Sequence, residues 1–164
     1  MNPPLRVELD SNAFDEFLLD DRREDDVLIA RVNSYVRAAK LVLLTTHVQE
    51  DELAATPNAV RRETLLRVFR KLDQQRIATS AMSWDHSKWG EAKWGSGGGQ
   101  IRVEHIQKGH PRQSKDALIG TSASADADVL VTNEKRTLPN RIAARGTMLK
   151  VWTFEKFVTE VAKL

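Results

Sequence analysis

The hydrophobic positions of this chain change period several times, and each change predicts an element. Leu5 to Leu9 alternates apolar and polar residues and stops at Asp10, the pattern of a short strand ending in a turn. Ser11 and Asn12 are candidate caps for the next element. Leu28, Val32, Tyr35, Val36 and Ala39 then recur at helical spacing among charged residues, which predicts an amphipathic helix with one buried face. Leu41, Val42, Leu43 and Leu44 run without interruption up to Thr45 and Thr46, as in a strand covered on both faces.

The second half continues the alternation. The polar stretch Gln49 to Glu52 opens a helix that Pro57 ends, and a further helix carries Leu65, Val68, Phe69 and Leu72 on one face. From about 83 to 113 periodicity disappears into a long basic loop rich in Trp and Gly. Ser114 to Ala125 is expected as a helix of small residues, Val129 to Val131 and Leu149 to Trp152 as strands, and Thr153 as the cap of a helix bearing Phe154, Phe157, Val158 and Val161. Strands alternating with helices predict an α/β fold, a three-layer α/β/α sandwich with a mostly parallel central sheet. No internal repeat or linker divides the chain, so residues 1–164 are expected to form one domain.

Composition narrows the chemistry. Hydrophobic residues make up 41% and charged residues 29%, an ordinary globular balance. Cysteine is absent, which excludes disulfides, thiol catalysis and cysteine-ligated zinc and suits a cytoplasmic protein. The stretch Met1 to Glu8 has no basic region leading into an apolar one, and no apolar run is long enough to span a bilayer, so neither export nor membrane insertion is expected. The formal charge of +2 hides a segregation by segment. Residues 8 to 26 are rich in acid, whereas 85 to 115 carry Lys88, Lys93, Arg102, Lys108, Arg112, Lys115 and three histidines.

Parallel sheets put ligand sites beyond the carboxyl ends of their strands. Four acids fall there: Asp10 after the first strand, Glu52 past the second, Asp116 at a helix start and Glu134 just past Thr132. Grouped carboxylates suit Mg²⁺ or Mn²⁺, hard cations that favour oxygen ligands and keep water and phosphate oxygens in their shell. Such ions acidify water and orient a scissile phosphate, so phosphodiester cleavage then needs no covalent nucleophile.

The run Arg6 to Asn12, the pair Glu52-Leu53, and Asp116-Ala-Leu-Ile119 followed by Ala127 to Glu134 resemble the signature segments of PIN-domain nucleases, over nearly the whole chain. The resemblance implies a PIN-like fold, an endoribonuclease activity on single-stranded or structured RNA, and Mg²⁺ or Mn²⁺ held by Asp10, Glu52, Asp116 and Glu134, with Asn12 and Thr132 as polar supports. Glu134 stands where that family usually has Asp, and Glu50 competes with Glu52 for the second position. Many bacterial members are VapC-like toxins of toxin–antitoxin pairs, which points to an antitoxin or a second copy of the chain as partners besides RNA.

Other features read more plainly. His47, His86, His105 and His110 lack metal-ligand spacing, and most are expected at the surface or facing RNA. Gly95 to Gly99 lacks the Gly-Lys-Ser/Thr ending of a phosphate loop. Asp126 and Asp128 are expected to cap or flank their strand. Trp84, Trp89 and Trp94, interleaved with Lys88, Lys93 and Arg102 and followed by Lys108, Arg112 and Lys115, suit base stacking and phosphate neutralisation, or else pin the loop to the body. Two rival functions remain open at this level: a PIN-like module that binds RNA or protein without cutting, and a nuclease acting on DNA.

Overall fold

The computed structural model describes residues 3–79, 90–91, 114–135, 137–144 and 148–164. In chain order, β1 (Leu5–Leu9) leads through a 3-10 helix (Ser11–Phe17) to a small hairpin of β2 (Leu18–Asp20) and β3 (Arg23–Glu24). Then come α1 (Asp26–Arg37), β4 (Leu41–Thr45), α2 (His47–Ala54), α3 (Ala59–Lys71) and β5 (Gln74–Arg76). Beyond the 83–113 segment lie α4 (Ser114–Asp126), β6 (Val129–Val131), α5 (Thr137–Ala143), β7 (Lys150–Trp152) and α6 (Phe154–Val161).

The main sheet runs β5-β4-β1-β6-β7 with every neighbouring pair parallel. Side-chain alternation sends Val7, Leu9, Leu41, Leu43, Val129 and Val131 to one face, where they share a buried cluster with Phe14 and Phe17, with Ile29 and Val32 of α1, Leu65 and Val68 of α3, and Phe154 and Phe157 of α6. Leu130 points the other way and packs with Val48 of α2, Leu118 and Ile119 of α4, and Leu138 and Ile142 of α5. Helices therefore cover both faces, which makes the three-layer sandwich that the alternating pattern predicts. Phe17 meets Phe154 edge to face at 5.0 Å between ring centroids, tying the first and last elements into one core. Burying each such ring contributes roughly 1.5–3 kcal/mol.

Several boundaries differ from expectation for local reasons. Ser11 and Asn12 do not cap a helix; Asp10 does, its carboxylate accepting from Ser11 N at 2.8 Å, while Asp25 caps α1 through Leu28 N. Ala39 does not extend the face of α1. It has a φ of 55°, and Ala39 N and Lys40 N bond back to Val36 O and Tyr35 O, a left-handed helix stop. α2 begins at His47 rather than Gln49, because Thr46 caps it and Gln49 supplies the reciprocal capping-box bond. The β2–β3 hairpin, β5 and α5 have no counterpart among the elements expected from the sequence. β5 is half-exposed, polar and at the sheet edge, so no apolar pattern marks it. Of the 83–113 loop only Gly90 and Glu91 are among the described residues. No described helix is long and apolar enough to cross a membrane.

Candidate functional site

β1 lies between β4 and β6, which the chain reaches by crossing in opposite directions, and a crevice opens at that switch point beyond the carboxyl ends. Asp10 stands there as the residue after β1, only 4% exposed. Its Oδ2 accepts from Thr132 Oγ1 at 2.7 Å and Asn12 Nδ2 at 2.9 Å. Asn12 in turn accepts from Asn133 N at 3.0 Å, so the turn after β1 is fastened to the turn after β6. Asn12 and Thr132 thus stand where supports for Asp10 were expected.

Glu52 reaches the crevice from the second turn of α2 and accepts a hydrogen bond from Ser11 Oγ. Asp116 lies in the first turn of α4, where the helix dipole favours an acid. Glu134 follows β6 and folds back, its Oε2 accepting from Leu138 N at 3.1 Å in the first turn of α5. All four carboxylates line one cavity of about 400 Å³, together with Ser11, Asn12, Asp15, Leu53, Thr56, Arg61 and Leu65. The volume falls in the range of ligand sites.

Electrostatics record the crowding. Burial, then the charges of Glu52 and Glu134, pushes Asp10 up from 3.8 to about 6 against the pull of the Thr132 and Ser11 hydrogen bonds. Burial, then Asp10, Glu52 and Glu134, pushes Asp116 up to about 7, with Arg141 opposing. The neighbouring carboxylates raise Asp10 and Asp116, but desolvation is the larger cause in both. Among the described residues no group of three or more acidic or imidazole side chains is placed so that it could hold a metal ion. Glu52 is engaged with Ser11 Oγ, and Glu134 with the Leu138 amide of α5.

The remaining candidates separate. Glu50 leaves the cavity and pairs with Arg76 at 2.8 Å. Asp128 accepts from Arg6 N at 2.8 Å and the Asp126 carbonyl from Arg6 Nε at 2.7 Å, at the opposite rim of the sheet, as flanking residues would. Lys115 is half-buried beside Asp116. His47, the first residue of α2, is fully buried, with Nδ1 3.7 Å from Glu91 Oε2, and so is not a surface histidine. Trp84, Lys88, Trp89, Lys93, Trp94, Arg102, Lys108 and Arg112, with His86, His105 and His110, lie outside the described residues.

Two features left no mark in the sequence pattern. Glu8 is fully buried in β1, its Oε1 accepting from Gln49 Nε2 at 2.8 Å, and burial holds its carboxyl well above the ordinary value despite that bond. Arg61, on the first turn of α3, reaches into the cavity; nothing local in Asn58 to Arg62 marks it, because its partners Asp15 and Asp21 lie some 40 residues earlier. Compared with models of protein families, with curated proteins and with solved structures, the chain matches none.

Proposed function

We propose that this chain is a PIN-like endoribonuclease that depends on Mg²⁺ or Mn²⁺. The observation that carries this reading is the convergence of Asp10, Glu52, Asp116 and Glu134, from four separate segments, on one cavity beyond the carboxyl ends of a parallel sheet. The donor set fits a hard divalent cation: carboxylate and hydroxyl oxygens, with two carboxyls pushed upward by burial first and by the neighbouring acids second. Mg²⁺ is bound through one or two carboxylates plus water and substrate phosphate, so it does not require three protein ligands already gathered. When bound, the ion supplies Lewis-acid polarisation of the phosphate and offsets charge that builds in the transition state.

The chain's own part is positioning. Asp10 and Asp116 face the cavity as the principal anchors, Glu52 joins them from α2, and Glu134 contributes from the rim. Thr132 and Asn12 fix the Asp10 carboxylate, Ser11 fixes Glu52, and so the acids are oriented before substrate arrives. A cytoplasmic role on RNA, as a solitary enzyme or as the toxin of a toxin–antitoxin pair, is the finer part of the proposal.

Replacing Asp116 by Asn tests it: metal-stimulated RNA cleavage is lost while the thermal transition is kept, and full activity in that variant would end the proposal. One observation favours a second reading, a non-cutting RNA- or protein-binding module. Glu134 spends a carboxylate oxygen on the Leu138 amide. RNA binding that is unchanged by removing Mg²⁺, with no cleavage, would select that module, and parallel assays on DNA strands would separate a DNA nuclease.

A further inference from the structure

Resting on the nuclease reading, we propose that Arg61 is a substrate-binding residue whose guanidinium holds a phosphate oxygen of the RNA strand against the carboxylate site. The cavity wall carries Asp10, Asp15, Glu52, Asp116 and Glu134, and Arg61 is the cationic residue that lines it among the described residues. A strand of phosphates meets strong repulsion there unless positive charge is built in.

Arg61 is paired on two sides. Its Nη2 lies 2.8 Å from Asp15 Oδ1 and its Nη1 2.6 Å from Asp21 Oδ1, while its backbone N–H is capped by Asn58 Oδ1 at 3.1 Å. Two of five guanidinium N–H groups are thereby directed at the tethers, and no partner among the described residues takes the other three. Such tethering suits recognition, because an oriented fork loses little freedom on gripping a phosphate. It suits a purely structural tie less well. The Asp15 and Asp21 side chains are 44% and 52% exposed, and ion pairs that open to water add little stability.

The full chain is compared with Arg61→Gln, Arg61→Lys and Asp21→Asn by two readouts on a single-stranded RNA oligonucleotide. The first is KM and kcat for metal-dependent cleavage. The second is the slope of log binding constant against log salt concentration, measured in the Asp116→Asn background so that the strand stays intact. Loss of one phosphate contact on a single strand reduces that slope by about 0.7. Arg61→Gln is expected to show this reduction with KM raised about tenfold. Arg61→Lys keeps the slope and raises KM, having lost the fork, and Asp21→Asn keeps the slope because the charge remains. A wild-type slope and KM in Arg61→Gln, or the same slope loss in Asp21→Asn, overturns the inference. If Arg61→Gln does not fold, Arg61→Lys decides: a raised KM supports the fork and an unchanged one overturns it. Absence of cleavage by the wild-type chain sinks the nuclease reading instead, and the slopes still judge Arg61.

Discussion

Gln49 Nε2 donates to Glu8 Oε1 at 2.8 Å, joining the first turn of α2 to the central strand near its carboxyl end. The same amide nitrogen reaches Leu9 O at 3.2 Å, and Gln49 Oε1 accepts from Thr46 N at 2.9 Å, so one side chain ties the strand, the cap and the helix that carries Glu52. Glu8 Oε2 is buried with no hydrogen-bond partner among the described residues. The folded carboxyl titrates well above its ordinary 4.5, so stability is fully present below about pH 4.5 and is lost as pH rises towards the folded value. Glu8→Gln keeps the neutral shape and removes that loss. Its Tm should exceed the wild type's by a few degrees at pH 8 (about 2–4 °C per kcal/mol for a domain of this size) and by much less at pH 5. Equal destabilisation at both values would contradict the account.

Metal and protons should compete. Asp10 at about 6 and Asp116 at about 7 both lie above 3.8, so the metal-free fold binds extra protons between roughly pH 4 and 7 and loses stability as pH rises through that window. Mg²⁺ should then raise the Tm most above pH 7 and hardly at all near pH 5. Where free Mg²⁺ is about 100 times its Kd, binding alone stabilises by ~2.7 kcal/mol. Calorimetry at the two pH values with and without Mg²⁺ reads this directly, and a gain that did not depend on pH would place the ion elsewhere.

Thr132→Val removes the 2.7 Å bond to Asp10 Oδ2 and also the hydroxyl that accepts from Glu134 N at 3.1 Å. The cost should be about 1–3 kcal/mol, since a buried carboxylate loses a donor. That bond lowers the Asp10 pKa, so its loss should move the acid limb of the cleavage profile to higher pH. An unshifted limb would show that Asp10 does not govern it.

Glu50 and Glu52 should behave oppositely. Glu52→Gln is expected to depress cleavage by on the order of a hundredfold or more, beyond the ~10–100-fold typical of losing an orienting partner. Glu50→Gln loses only a half-exposed pair with Arg76 and should stay within about twofold of wild type, the size of effect that surface ion pairs allow. Comparable losses in both would mean that the cavity geometry is not what selects the acid.

Ala39 offers a test free of the site. Its φ of 55° is one that L side chains resist, and glycine there relieves the left-handed stop of α1. Ala39→Gly should stabilise by about 1 kcal/mol in urea melts with cleavage unchanged.

Legibility followed burial. Continuous or periodic apolar runs exposed β4, α1, α3 and α6 because their side chains enter the core in regular order. β5 left no trace, since Gln74, Gln75 and Arg76 join the sheet edge through the backbone alone. The burial of Glu8 was not legible either: it is a polar member of the alternating run Leu5 to Leu9, yet helices cover its face of the sheet and bury the carboxyl. The four acids were legible because a parallel sheet fixes where strands end. The Arg61 fork was not, because its geometry depends on Asp15 and Asp21 being brought to it by the 3-10 helix and the hairpin.

The central position of β1 divides the labour of assembly in time. Asp10 and Glu52 belong to the portion of chain translated first, whereas Asp116 and Glu134 arrive with α4 and β6, on the other flank of the same strand. A ribosome partway through synthesis has therefore delivered only two of the four acids, and β1 still lacks its β6 neighbour.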